Sequence, residues 1–411
     1  MLFLLPPELR LFIYHCLFHE HVHLSHPTHP QPDNRHLRYL RVCKLLSAEA
    51  GPLFRSYISL RHEYQISSFL RHADSYDCAA ITHADVANDG RARSRSQISM
   101  SRPAISSQFE QTKATPISNL YLALQKMPAL HSLRVFNCRQ GVPAPDLSGL
   151  KVSSSLRLAF EGAMFPDPAL KVQLQAYQLL LDPTTRLSLF DKVIPTHIRT
   201  LRLSGDCQLP NYSDVPALRH LFVHAFTGTH FDRRPLHETF TGCQLESFVY
   251  SMGNKLGFEM RDSHLQSLAT YIGSNLRKLV LLGCSRLTGP ALFDLFVDMH
   301  QLQYLAIDLV TVNASNYDFI RVLSDTVSTF KLEVTNAAFA APLIHEERSL
   351  CDAIEACLLW RQPPPDLLCL YFRDRILRED NRSHRWKMLA AEQKIRLQLG
   401  SWKNVEDIYN V

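Results

Sequence analysis

The stretch DSHLQSLATYIGSNLRKLVLLGCSRLTGPALFDLFVDMHQLQYLAI (residues 262–307) carries one pattern twice. LRKLVL at 276–281 and LQYLAI at 302–307 each read Leu-x-x-Leu-x-apolar, with starts 26 residues apart. Alternation along an extended chain puts Leu279 with Leu281, and Leu305 with Ile307, on one face. Before the first copy, Leu265, Leu268, Ala269 and Ile272 recur at helical spacing. A single strand-plus-helix unit cannot bury its apolar side alone. Stacked neighbours can, and a stack of such units gives a parallel sheet with helices along its outer side.

The same pattern extends in both directions. Copies begin at Leu130, Ile198, Leu218, Leu245, Leu276, Leu302, Val327 and Leu367, with steps from Ile198 of 20, 27, 31, 26, 25 and 40 residues. The middle steps have the length of leucine-rich repeats, and the uneven ones imply insertions. VSSSLRLAF (152–160) reads as a degraded copy in the 68-residue gap after Leu130.

Upstream, the chain reads differently. In LPPELRLFIYHCLF (5–18), Leu9, Phe12, Ile13, Cys16 and Leu17 form one helical stripe, and Leu11, Tyr14 and Phe18 a second. A helix apolar on two faces must bury both, one against its own domain and the other against a partner or more protein. Helical spacing resumes in LRYLRVCKLLSAEAGPLF (37–54), with a break or kink at Gly51-Pro52. The segment between is rich in His and Pro and reads as a loop. From 72 to 116 periodicity fades, and residues 87–107 are rich in Ser and Arg, the composition of a disordered linker. HRWKMLAAEQKIRLQL (384–399) favours one helix, either a cover for the array's end or a free docking helix. The expected domains are 1–60 helical, 61–118 linker, 119–378 repeat array and 379–411 C-terminal cap.

Composition narrows the chemistry. With 44 basic and 39 acidic residues, the excess of +5 is small and unclustered, so no nucleic-acid partner is expected. No apolar run reaches the length of a membrane span. The ten Cys form no Cys-x-x-Cys pair. Cys138, Cys207, Cys284 and Cys357 sit in or beside repeat segments and read as core filling, which suits a reducing intracellular compartment, cytoplasm or nucleus. His19, His21 and His23 would share one side of a strand, but Pro27 and Pro30 favour an irregular loop, so no metal is expected. No nucleophile elbow, zinc-protease helix, phosphate loop or dinucleotide-binding fingerprint is present, so neither catalysis nor a cofactor is expected.

Residues 5–18 followed by 37–54 resemble the F-box, and are most similar to fungal variants that open Leu-Pro-Pro-Glu-Leu-Arg. Gly283-Cys284, Leu287-Thr288, Ala291-Leu292 and Leu302-x-x-Leu305-x-Ile307 resemble the cysteine-containing leucine-rich repeats of F-box proteins. The loop after the first helix is longer than the family's, and the Trp often found after Val-Cys is absent. The resemblance implies an α/β fold: an N-terminal F-box-like helical hook, then a leucine-rich-repeat solenoid with a curved parallel sheet and outer helices. It also implies a substrate-recognition adaptor of an SCF-type cullin ubiquitin ligase. Leu5, Pro6, Leu9, Ile13, Leu17 and Val42 match positions that contact the Skp-type adaptor. The repeats would bind a target protein through strand positions flanking the inward leucines: Arg134, Arg202, His220, Phe222, His224, Lys278, Tyr304, Asp308, Tyr371 and Arg373. Their surplus of cations points to an acidic or phosphorylated ligand. The alternative is a leucine-rich-repeat scaffold with no link to ubiquitin. An apolar face of the first helix left uncovered would favour the adaptor reading over an ordinary cap.

Overall fold

The computed structural model describes residues 4–22, 33–87, 92–93, 115–116, 119–136, 161, 164–165, 167, 169–181, 183, 186–252, 257–309, 318–335 and 344–403. The fold is mixed α/β. It divides into two compact units, residues 1–198 with 205–208, and residues 199–204 with 209–411.

Unit one opens with α1 (Pro7–Val22), which has Pro7 at its start and Glu8 in its first turn. Both suit a helix N-terminus, where a missing amide costs nothing and negative charge meets the dipole. A 3-10 helix (Asn34–Arg41) follows, capped by Asp33, and leads into α2 (Lys44–Phe54). Tyr14 packs with Leu46, Ala50 and Phe54, flanked by Phe18, Leu40, Cys43 and Leu53. His36 is buried and its Nε2 donates to the Phe54 carbonyl at 3.0 Å, which pins the 3-10 helix to the end of α2. Strand β1 (Tyr57–Leu60) follows at once.

Residues 61–87, expected to belong to a linker, are structured. Helices α3 (Glu63–His72) and α4 (Ser75–Ala80) lead into strand β2 (His83–Ala87), and Ile66, Phe69, Cys78 and Ile81 are buried. After α5 (Leu120–Gln125) come β3 (Ser132–Phe136) and β4 (Ala176–Leu180). The four strands pair in parallel, in sequence order. Parallel pairing therefore begins at Tyr57, not at residue 119. Within 88–118 only Ala92–Arg93 and Thr115–Pro116 are described, as an antiparallel pair. The remainder of the expected linker and the copy at 152–160 lie outside the described residues. Within that gap β4 is the strand that pairs with β3, and Val172–Gln173, Arg186–Ser188 and Val193–Ile194 are shorter strands. His19 and His21 belong to α1, so they do not alternate along a strand, and His23 lies outside the described residues.

Unit two holds β5 (Thr200–Gln208, of which 200–204 belong here), β6 (His220–Phe226), β7 (Ser247–Ser251), α6 (Asp262–Ser267), β8 (Lys278–Cys284), α7 (Gly289–Val297), β9 (Tyr304–Leu309), β10 (Thr329–Val334), α8 (Ile344–Ile354), β11 (Leu367–Tyr371), α9 (Arg382–Glu392) and β12 (Arg396–Leu399). The eight strands lie side by side in sequence order, and every pair from β6 onward is parallel. Seven of the eight sequence copies of the pattern end within one of these strands or within β3, and the copy at Leu367 ends one residue past β11.

Register explains the pattern. Leu221, Phe248, Leu279, Leu305, Phe330, Leu368 and Leu397 are successive partners across the sheet. Leu279 and Leu305 are fully buried, each contributing about 1.5–3 kcal/mol. Two residues further along each strand, Val223, Tyr250, Leu281, Ile307, Leu332, Leu370 and Leu399 form a second such row. The Gly-Cys of the repeat has its own cause. The ladder shifts between Leu281 and Cys284, and Gly283 takes φ +74° there, a conformation glycine adopts without strain.

Between strands, α7 shows how the helical layer is placed. Thr288 caps it by accepting from the Ala291 amide, Pro290 sits in its first turn, and Leu292, Leu295 and Phe296 are buried. Thr288 is itself held by Asp262 of α6, through its amide (3.0 Å) and its hydroxyl (2.9 Å). The end of the chain departs from the expected single helix. α9 stops at Glu392, and β12 joins the sheet beside β11.

Candidate interaction surfaces

The side of α1 that faces α2 is engaged. Arg10 Nε donates to Glu49 Oε2 at 2.9 Å, a second Arg10 nitrogen bonds the other Glu49 oxygen, and the Tyr14 hydroxyl donates to Glu49 Oε2 at 3.3 Å. These bonds from Arg10 hold the Glu49 carboxyl below the usual carboxylate range and the guanidinium above its own. Arg10, Tyr14 and Phe18 thus form the side of α1 that faces α2.

The opposite side of α1 is bare. Phe12 is 67% exposed, Leu9 51% and Leu17 42%, while Leu4, Leu11 and, across the turn, Tyr39, Val42 and Leu45 are also exposed. Of the residues expected to meet an adaptor, Pro6, Leu9, Leu17 and Val42 are exposed, and Leu5 and Ile13 are half-buried. Leu4, Phe12 and Tyr39 extend the surface beyond the expected set. Phe12 was legible in the outward stripe; Tyr39 lies in the 3-10 helix, where 3.6-residue spacing does not apply.

The strand positions expected to present a ligand face fare unevenly. In unit one, Arg134 is buried and consumed by Asp85, with Nε–Oδ1 2.6 Å and Nη2–Oδ2 2.9 Å, and Tyr57 donates to the same carboxylate at 2.9 Å. In unit two, Arg202 and Asp308 are buried, and Phe222 is buried in an apolar cluster with Val249, Val280, Leu282, Ala306 and Cys369. These alternate with the leucine rows, so they lie on the sheet's other face. Lys278 and Lys331 set their ammonium groups 4.9 and 5.3 Å from the centre of the Tyr304 ring. Arg373 pairs with Glu347 at 3.3 Å. His220, His224, Lys278, Tyr304 and Arg373 are half-buried, and Tyr371 is exposed. Burial lowers the His220 pKa, which favours the neutral ring. Arg134, Arg202, Phe222 and Asp308 are therefore corrected from presented to buried residues: pairing with Asp85 takes Arg134 from solvent, pairing with Lys403 takes Asp308, and packing on the sheet takes Arg202 and Phe222.

Two residues that sequence reasoning missed sit on this face. Trp402 is buried in the Phe222 cluster, and its Nε1 donates to the Leu332 carbonyl at 3.2 Å. Lys403 bridges Asp308 and Glu333, at 2.8 Å to each. Burial opposes the charge on Lys403, but hydrogen bonds and attraction from both carboxylates outweigh it and raise its pKa. The Lys331–Glu333 alternation in VSTFKLEV was a visible signal for Glu333; the aromatic two residues past a glycine gave none for Trp402.

Desolvation pushes the Cys351 thiol up to about 12 and raises the Cys284 thiol well above its ordinary value, which keeps both protonated at neutral pH. Cys207 is buried. Cys357 is half-buried, and Cys138 lies outside the described residues. Among the described residues no group of three His, Cys, Asp or Glu could hold a metal ion. No described helix is long and apolar enough to cross a membrane. Compared with known proteins, the chain matches no family model and no curated sequence.

Proposed function

We propose that this chain is a substrate-recognition adaptor of an SCF-type cullin ubiquitin ligase, with an F-box-like hook that binds the Skp-type adaptor and a leucine-rich-repeat array that binds the target. The observation that carries the reading is the bare face of α1. Leu9, Phe12 and Leu17, with Val42 beyond the turn, remain exposed although the helix's other face is satisfied. A contiguous apolar surface of this kind marks an interaction site. Three of its residues, Leu9, Leu17 and Val42, are among the six positions assigned to the adaptor by resemblance.

The parallel strands with helical connections suit a repeat array that holds a second protein on the sheet face opposite the leucine rows. The chain would carry no covalent step. It would raise the effective concentration of target lysines near the ligase.

Titration of the purified full chain with a Skp-type adaptor tests the reading. Micromolar or tighter binding, abolished by Phe12→Glu at unchanged melting temperature, is the expected result. No binding by the wild-type chain at those concentrations would leave the scaffold reading in its place.

A further inference from the structure

We infer that Trp402 and Lys403 act as a ligand in cis, filling a seat on the sheet face of unit two opposite the leucine rows that fits a partner peptide carrying an aromatic side chain followed by a basic one. This deepens the reading of unit two as the target-binding part and rests on it.

The seat has two halves. One is an apolar floor, made by Val280 on β8, Ala306 on β9 and Cys369 on β11, in which Trp402 is almost fully buried. A large aromatic in a desolvated pocket, with its N–H on a backbone carbonyl, is the usual form of an interface anchor. The other half is acidic. Asp308 and Glu333, partners across β9 and β10, are both buried and both face the Lys403 ammonium.

The acidic half is not saturated. Asp308 also accepts from the Gly283 amide (3.2 Å), and the single proton of the Thr335 hydroxyl is shared between Asp308 and Glu333 Oε1, each at 3.2 Å. Glu333 Oε2 is buried and has no hydrogen-bond partner among the described residues. A buried carboxylate oxygen without a donor is costly, and a single ammonium cannot serve both oxygens as a guanidinium fork does. The seat is thus better matched to an arginine than to the lysine now in it. That mismatch is what a displaceable occupant would show.

The cis segment is also lightly held. β12 ends at Leu399, Gly400 donates to the Leu370 carbonyl at 3.0 Å, and the chain turns through a φ of +136° at Gly400. Ser401 is exposed. Trp402 lies on the face of the sheet opposite the leucine rows, so the packing between sheet and helices does not depend on it. The charge logic inverts the sequence expectation. Arg134, Arg373, Lys278 and Lys331 are spent on Asp85, Glu347 and the Tyr304 ring, and the group that meets a ligand here is a carboxylate pair.

The test uses the full chain with Trp402→Ala and Lys403→Ala, titrated with a fluorescent peptide of residues 399–405 (LGSWKNV). The substituted chain should bind saturably, and the wild-type chain at least about tenfold more weakly because its seat is filled. A peptide with alanine for tryptophan should lose about tenfold or more. One with arginine for lysine should bind more tightly than the parent. Equal binding by both chains, or none by a substituted chain that still melts cooperatively, would overturn the proposal. So would loss of the cooperative melt, which would make Trp402 part of the core. On unaltered protein, the Cys369 thiol should react with a thiol reagent faster than global unfolding permits; modification only upon unfolding would also count against a strap that lifts. None of these measurements involves the adaptor, so their failure leaves the reading of the hook standing.

Discussion

Phe12 and Tyr14 are two positions apart on α1 and have opposite fates. Tyr14 is buried against α2 and donates to Glu49, whereas Phe12 is 67% exposed. Periodicity resolved two apolar stripes but could not say which one packs, because spacing measures only that a face exists. The arbiter is polar: Arg10, on the Tyr14 side, finds Glu49. We therefore expect Tyr14→Ala to destabilise unit one by about 3–5 kcal/mol, as truncation of a buried aromatic does. Phe12→Glu should stay within about 0.5 kcal/mol of wild type, as surface changes do, while removing adaptor binding. Chemical denaturation and adaptor titration of the two variants separate these effects. A Phe12→Glu chain as unstable as Tyr14→Ala would place Phe12 in the core. The ion pair adds a pH dependence. Glu49 is held below its ordinary pKa of about 4.3. Its contribution is complete above that value and lost as pH falls through the lowered folded value. The stability difference between wild type and Glu49→Gln should therefore be largest near neutral pH and shrink in acid below about pH 4. A difference constant from pH 7 to pH 2 would remove Glu49 from the stability of unit one.

At the scale of elements, strands announced by three large apolar residues were readable and weaker ones were not. LRKLVL and LQYLAI name β8 and β9 at sight. β2 reads HADVA, with one residue larger than alanine on its inner face, so its segment passed for linker. β12 was hidden by a different effect. KIRLQL favours helix by composition, and α9 was expected to run through it. It stops because Lys394 turns to φ +60°, with the Ile395 amide on the Ala390 carbonyl (2.8 Å) and the Lys394 amide on Ala391 (3.2 Å). That is the Schellman end, where glycine is the usual residue and lysine bears the left-handed conformation at a cost. Lys394→Gly should accordingly stabilise unit two by about 0.5–1 kcal/mol, net of the extra freedom glycine has when unfolded. Thermal melting checks the sign. A lower melting temperature would mean that the lysine side chain contributes more than its backbone costs.

Across the whole of unit two, each strand meets only the strands beside it, so stability is a sum over neighbours. The leucine rows were legible because each member pairs with the next at nearly constant sequence distance. The sheet face opposite them was not, because its contents are set by what returns to cover it, and Trp402 comes from the far end of the chain. The same topology predicts how damage spreads. Leu305 sits in the middle of its row, between Leu279 and Phe330, and is fully buried. Leu397 occupies the last place, paired with Leu368 alone and only half-buried. Leu305→Ala leaves a cavity bounded on both sides and should cost about 2–5 kcal/mol. It should also raise hydrogen exchange in β8 and β10 together. Leu397→Ala opens toward solvent and should cost about 1 kcal/mol, near the centre of the range for point changes. Its exchange effect should stay within β11 and β12, since loss at the end of a stack is felt by one neighbour. Denaturant melts read the first difference, and residue-resolved exchange reads the second. Equal costs at the two positions, or exchange that rises throughout unit two for Leu397→Ala, would show that unit two unfolds as one block and that neighbour pairing does not govern its stability.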